Sequence, residues 1–549
     1  MSIYLTVLFL SLFITISLVP FFARLAERYN LVDIPNARKV HEKPIPRIGG
    51  AAMAVALFAV SAAFIPKDQF IYSLLIGSGI IVCFGLADDF LNLGYKIKFV
   101  GQIAAALVVI FYGGVKIATL GAILPDSLCL CEWSSALLTL LAIVGITNAI
   151  NLADGLDGLA AGICLLAFSC IAFLAYQEGS SQVLLMAIAI SGAIFGFLRF
   201  NTYPASIFMG DSGSQLLGFI GIVLAIKLTQ ESFTLSPALP LLLFGIPILD
   251  TLAVMSQRIA EGRSPFRADK NHLHHKLMRL GLFHTEAVFL IYVIQSALII
   301  CSIFFSSASE WPLVLGYLFF SALVLTAFTV SERYGYRLKR LHFIDKGIKA
   351  RLKVLKTKGV LIRFLFASLK ATLFATLLMS IVLPATVTPL LAVFAALFSA
   401  LLIFSLLLPR ISPEAAARSA FYFMVPYTVY MASLHSAAGV EMLATIYDLS
   451  FLLLAFFAIM TLKFTRRRKG FKFSTLDRLI LILVFILVLL PDKQVQNWHL
   501  GLLVTKVIVL FFSFEILVGE LRGRLKRLVA GALLLNLAVI LRVLGQLTI

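Results

Sequence analysis

Long apolar runs separated by short polar segments make up most of the chain. A membrane-crossing helix takes about 20 largely apolar residues, within a range of roughly 17–25. By that measure the first 330 residues predict eleven helices, near 3–22, 49–65, 70–87, 99–115, 135–150, 158–176, 181–199, 213–228, 236–257, 288–307 and 311–330. Residues 359–549 predict about seven more, near 359–383, 387–409, 419–435, 444–462, 476–491, 501–520 and 528–547. The fold class expected is an all-α polytopic integral membrane protein. Its expected parts are a membrane domain over 1–335, a basic linker over 336–358 and a second multi-helix module over 359–549. No basic residue precedes the first run and Arg24 follows it, so that run reads as a retained helix with its N-terminus outside.

Composition narrows the class. Hydrophobic residues are 61% of the 549, against about 45–50% in soluble domains, and charged residues are 13% against about 25%. With a mean hydropathy of +1.01, a water-soluble globule, a disordered chain and a disulfide scaffold are all excluded. The charge, 46 basic minus 27 acidic or +19, would suggest nucleic acid on a soluble protein. Here it follows the positive-inside rule. Arg24, Arg28, Arg38, Lys39, Lys43 and Arg47 fall in the first loop on one side, and Arg258, Arg263, Arg267, Lys270, Lys276 and Arg279 in the fifth. These loops are therefore expected in the cytoplasm, and no nucleic-acid partner is implied.

The same alternation puts the polar clusters of the first 330 residues on that face. Charged groups near a membrane are costly and mark function until paired. Asp88 and Asp89 are adjacent carboxylates at a helix end, where mutual repulsion calls for a cation or a bound proton. Asn148, Asn151, Asp154 and Asp157 recur every third residue in NAINLADGLDG, a polar strip if they share a helix. A cap for the helix near 158 would need Asp157 alone, so four polar groups exceed it. Met209 to Ser214 (MGDSGS) open a helix with small residues, an arrangement that offers amides to phosphate, with Asp211 beside them. His272, His274 and His275 sit among Arg267, Lys270 and Lys276. That cationic surround suits a pyrophosphate better than a second metal ion. Lys98 follows the Asp pair and can reach a phosphate. The inventory fits Mg²⁺-assisted transfer between phosphate-bearing substrates. The last 190 or so residues carry no acidic pair or histidine cluster, and Glu515 and Arg542 are their candidate ion pair.

The motifs DIPNARKVHEKPIPRIGG, GLADDF, NAINLADGLDGLAAG, FMGDSGS and HLHH, in this order over residues 1–335, resemble those of the bacterial polyprenyl-phosphate N-acetylhexosamine-1-phosphate transferases. The HLHH form, with Leu273 between His272 and His274, is similar to the branch that starts O-antigen, common antigen or teichoic acid. The resemblance implies transfer of a sugar phosphate from a UDP-N-acetylhexosamine to undecaprenyl phosphate in the bacterial inner membrane, with release of UMP. It implies Mg²⁺, or Mn²⁺ in its place, with Asp211 as the best ligand and Asp89 and Asp154 beside it. Asp88 is then the base toward the lipid phosphate, and Asp89 assists at the metal or pyrophosphate. Lys98 holds a phosphate, while Asn148, Asn151, Asp154 and Asp157 hold the nucleotide. His272, His274, His275 and Arg267 bind the donor pyrophosphate. Membrane lipids surround the protein, and a homodimer is compatible with this class. The extension departs from the family, and it keeps a transporter or flippase of lipid-linked sugars, or a scaffold for glycan assembly, as competing readings.

Overall fold

Apolar segments with no water to serve their peptide groups close their hydrogen bonds internally, so each run becomes a helix. A computed structural model describes residues 2–33, 44–91, 93–124, 130–264, 271–336, 360–384, 387–407, 412–434, 441–464, 473–491, 500–521 and 525–547. Arg267 and most of the expected linker, 337–358, lie outside the described residues. Among the described residues, 13 helices are long and apolar enough to cross a membrane, and Gly49–Phe64 and Leu391–Leu407 are shorter apolar helices. Among the described residues each of the eighteen expected runs is mainly helical, but 236–257 is broken in two.

The chain divides into two compact units, Met1–Lys339 with Ser474–Leu483, and Arg340–Phe473 with Val484–Ile549. The first contains α1 (Ser2–Arg28), α2 (Gly49–Phe64), α3 (Gln69–Leu91), α4 (Tyr95–Leu107), α5 (Glu132–Ala153), α6 (Leu159–Gln177) and α7 (Ser181–Asn201). It continues with α8 (Gly210–Glu231), α9 (Leu239–Leu243), α10 (Gly245–Ala260), α11 (Leu273–Arg279), α12 (His284–Phe304) and α13 (Glu310–Arg333). A two-stranded antiparallel sheet, β1 (Val32–Asp33) and β2 (Ile45–Pro46), pairs Val32 with Pro46 and Asp33 with Ile45. The Pro46 carbonyl then accepts the Phe208 amide at 2.7 Å, which ties the sheet to the segment ahead of α8.

At the centre is α8, buried along nearly its whole length. Small residues let backbones approach where apolar side chains gain nothing over lipid. A Cβ on Gly50 would overlap the Gly213 backbone, and one on Gly85 would overlap that of Ser212. Glycines on α2, α3 and α8 thus set the contact that places Asp88 and Asp89 beside the start of α8.

The break between α9 and α10 has a local cause. Pro247 lacks the N–H that would bond the Leu243 carbonyl, so the ladder opens there. The fully buried Gln295 of α12 fills the gap, its amide nitrogen donating to the carbonyls of Leu242 (3.2 Å) and Leu243 (3.0 Å) while its oxygen accepts the Ile246 amide at 3.2 Å. Gln295→Leu leaves those groups unpaired in an apolar setting. It is expected to destabilise the protein by about 2–4 kcal/mol, read as a lower thermal midpoint in detergent; an unchanged midpoint contradicts this account.

The second unit is a bundle of the helices Val360–Val382, Pro389–Leu407, Pro413–Leu434, Glu441–Phe464, Leu500–Glu520 and Leu525–Leu547, with part of Thr475–Leu489. Its ion pairs differ from the expected one. Glu515 is gripped by Arg418, Nε to Oε1 at 2.8 Å and Nη2 to Oε2 at 2.9 Å, and not by Arg542. Arg542 instead donates to the carbonyls of Val382 and Pro384. Opposite charges on facing helices satisfy each other first by nearness, which the linear sequence does not show.

Candidate active site

The polar clusters gather at one end of the first bundle, around the starts of α4, α6 and α8 and the ends of α3, α5, α7 and α10. Gly210 opens α8 with φ at +73°. That left-handed turn aims the next amides at α3, where Asp89 takes both. Its Oδ1 accepts the Asp211 amide at 2.9 Å, and its Oδ2 accepts the Ser212 amide at 3.2 Å and the Ser212 hydroxyl at 3.0 Å. The carboxylate thus sits on the positive end of the helix. The helix start expected to be open to phosphate is filled by the chain's own Asp89. Asp89 thereby fixes the start of α8 and the backbone of Asp211.

Asp88, one residue earlier, faces Lys98 on α4. The ammonium lies 2.7 Å from Asp88 Oδ2 and 2.5 Å from Asp211 Oδ2, so one cation bridges two carboxylates from different helices. Asp88 Oδ1 is buried and, among the described residues, has no hydrogen-bond partner. Behind Asp211 runs a chain of carboxamides, buried at Gln102 and Gln215 and half-buried at Asn148. Asn148 Nδ2 donates to the Val144 carbonyl (2.8 Å) and to Gln102 Oε1 (2.6 Å), Gln102 Nε2 donates to Gln215 Oε1 (2.9 Å), and Gln215 Nε2 donates to Asp211 Oδ2 (3.3 Å). Lys98 and Gln215 together fix how Asp211 is turned.

The expected polar strip is not one helix face. α5 stops at Ala153, Asp154 lies at its end, and α6 starts at Leu159 behind Gly158, whose φ is +78°. Asp157 is not the cap of α6. Its Oδ2 accepts the Ala205 amide at 2.9 Å, and its own amide donates to His284 Nε2 at 3.1 Å. Asn151 accepts the Ser214 hydroxyl at 2.6 Å. Burial, then the charges of Asp211 and Asp157, push the Asp154 carboxyl up to about 7.

A cleft of about 1120 Å³ opens onto this loop, lined by Arg47, Asn151, Asp154, Asp157, Asp211, His275 and His284 among others. Of the three expected histidines only His275 lines it. His274 is buried against Gly155, where burial and then the charge of His275 hold its imidazole down at about 3. His272 is buried and bonded to Asp250, 2.9 Å from Nδ1 to Oδ2. Asn148 serves the carboxamide chain below the cleft. Gln102, Gln215, Asp250 and His284 escaped sequence reading. Asp250 carried a signal, a lone carboxylate inside an apolar run; uncharged Gln102 and Gln215 carried almost none.

Carboxylates from α3, the α5–α6 loop and α8, a bridging lysine and a large polar cleft at one end of a helix bundle suit chemistry on phosphates at a membrane surface. The Glycosyl transferase family 4 matches residues 71–229. The chain is 37% identical over 303 residues to a Bacillus subtilis protein named a probable undecaprenyl-phosphate N-acetylglucosaminyl 1-phosphate transferase, covering 55% of this chain and 84% of that one. It is 30% identical over 353 residues to the undecaprenyl-phosphate alpha-N-acetylglucosaminyl 1-phosphate transferase of Escherichia coli K12, covering 62% and 92%. With the decaprenyl-phosphate N-acetylglucosaminephosphotransferase of Mycolicibacterium smegmatis it shares 34% over 362 residues, covering 58% and 88%. Fold and site define an integral membrane sugar-phosphate transferase. Within that class, the chain belongs to the polyprenyl-phosphate N-acetylhexosamine-1-phosphate transferase family, and it extends well beyond the part its relatives match.

Proposed function

We propose that this protein transfers N-acetylglucosamine-1-phosphate from UDP-N-acetylglucosamine to undecaprenyl phosphate, with the cleft facing the cytoplasm, and so starts a lipid-linked glycan such as O-antigen, common antigen or teichoic acid. The observation that carries it is Lys98 held between Asp88 and Asp211 next to the cleft. Such a cation is poised to trade a carboxylate for a phosphate oxygen. The cleft volume of about 1120 Å³ is ample for a sugar nucleotide. An apolar groove of about 510 Å³, lined by Leu141, Gly145 and Ala149 of α5, Ile226 of α8 and Ile248, Leu252 and Met255 of α10, suits the prenyl chain.

The acceptor phosphate oxygen attacks the β-phosphorus of the donor, and the bond to the leaving UMP breaks. Asp88, whose Oδ1 has no hydrogen-bond partner among the described residues, is the group we assign to take the acceptor's proton. Lys98 steadies the transferred phosphate. The grip of Lys98 on both Asp88 and Asp211 makes each a poor nucleophile, which favours direct attack over a covalent aspartyl intermediate. Among the described residues no three His, Cys, Asp or Glu converge as a ready metal cage. Mg²⁺ prefers one or two carboxylates with phosphate oxygens, and Asp211 with Asp154 fit that habit. Bound there, the ion would supply positive charge for the developing UMP oxygens. The test is UMP release by purified protein with lipid and donor, in Mg²⁺ and in chelator. Release that needs both substrates and the cation supports the reading; none from folded protein overturns it in favour of a transporter or scaffold.

Asp154 and His274 predict opposite pH limbs of stability. Asp154 keeps its proton to about pH 7 when folded but only to its ordinary 3.8 when unfolded, so stability declines as pH rises through that window. His274 is held neutral when folded down to about pH 3 against its ordinary 6.5, so stability is lost as pH falls below 6.5. Without divalent cation, the thermal midpoint of the wild type relative to that of Asp154→Asn is expected to fall as pH rises from about 4 to 7, because the contributions of His274 and Asp89 are common to both proteins. A difference that does not change with pH refutes the assignment.

A further inference from the structure

Asp250 lies on α10, in a stretch otherwise almost wholly apolar, and is 7% exposed. Both of its oxygens are committed to one short segment. Oδ1 accepts the Leu273 amide at 2.6 Å, at the first residue of α11, and Oδ2 accepts Nδ1–H of His272 at 2.9 Å. α11 has seven residues, too few to hold its own place by helix formation alone. The placement of α11 in turn shapes the cleft. The rings of His272 and His274 stack with centroids 5.8 Å apart, and those of His274 and His275 lie 4.3 Å apart. His274 rests on Gly155, and His275 reaches the cleft. A carboxylate on α10 therefore sets the height at which one histidine supports the Asp154–Asp157 loop and the next meets the ligand.

We propose that Asp250 is a positioning residue for the donor side of the reaction: it anchors the histidine segment so that His275 and the loop beneath His274 are presented to the pyrophosphate of the sugar nucleotide. Asp250 itself does not line the cleft, and it acts through His272 and Leu273. The inference rests on the transferase reading, and its test keeps the two separable.

Full-length protein, Asp250→Ala and Asp250→Asn are compared for the KM of UDP-N-acetylglucosamine, the KM of undecaprenyl phosphate, and backbone hydrogen exchange. Asn can still accept the Leu273 amide with Oδ1 and donate Nδ2–H to His272 Nδ1, so it keeps the anchor with the histidine tautomer reversed. Asp250→Ala is expected to raise the donor KM on the order of tenfold, with the acceptor KM within about twofold, and to speed exchange of the amides of 273–279 while the other helices keep their protection. Asp250→Asn should recover most of both effects. An unchanged donor KM, both KM values rising together, or faster exchange across the whole bundle overturns the proposal. If wild-type protein releases no UMP with any donor, the transferase reading fails. Exchange then still decides the anchor: acceleration confined to 273–279 upholds it, and its absence removes it.

Discussion

Asp211→Asn is expected to lower kcat by about 10²–10³-fold while leaving the protein folded, since losing one group that holds positive charge at a developing phosphate oxygen costs about that much. Asn has nearly the same shape and can still receive Gln215 Nε2 at its oxygen, so the α8 start and its Asp89 cap persist. What disappears is the negative charge that holds Lys98 and would hold Mg²⁺. Lys98 then leans wholly on Asp88 Oδ2, the partner already at 2.7 Å, and moves off the line between the two carboxylates. UMP release, thermal unfolding and Mn²⁺ binding followed by paramagnetic resonance separate the effects. A variant with wild-type unfolding, lost cation binding and lost turnover fits the assignment. Turnover within tenfold of wild type would remove Asp211 from the centre of the mechanism.

Gly210→Ala should have the largest effect on folding. With φ at +73°, any side chain there meets left-handed strain of about 1–2 kcal/mol. The added methyl would also collide with the Arg47 carbonyl and Asp89 Oδ2. The first is backbone and the second is the cap of α8, so neither can move without loosening β2 or freeing the amides of Asp211 and Ser212. With overpacking adding roughly 1–3 kcal/mol, a total near 2–5 kcal/mol and a parallel loss of UMP release are expected. Gly79→Ala on α3 is the control, because a Cβ there meets nothing within 4 Å. Equal midpoints for the two variants would contradict the strain argument.

Helix positions were legible in the sequence, because a membrane leaves an apolar run no other way to satisfy its peptide groups. The exception was 236–257, where Pro247 and the remote Gln295 break the run, and the partner lies far along the chain. Asp88, Asp154, Asp157, Asp211 and His275 were visible because charge near a membrane is too costly to keep without purpose. The Arg542–Glu515 pairing failed because Arg418 stands nearer to Glu515, which only packing reveals.

By itself, the sequence determined the class, the place of the long apolar helices, the family motifs and the side of the bundle to which polar groups belong. All of these come from local properties, namely run length, charge and spacing. Only the tertiary structure decided the division of labour among the polar groups. It turned Asp89 into a helix cap, buried His272 and His274 as supports, set Lys98 between two carboxylates, and enlisted Asp250, Gln102 and Gln215. Those roles depend on which atoms lie within about 3 Å of one another across different helices, since a hydrogen bond weakens steeply beyond that reach. That distance is fixed by close glycine contacts such as Gly50 with Gly213, not by position along the chain.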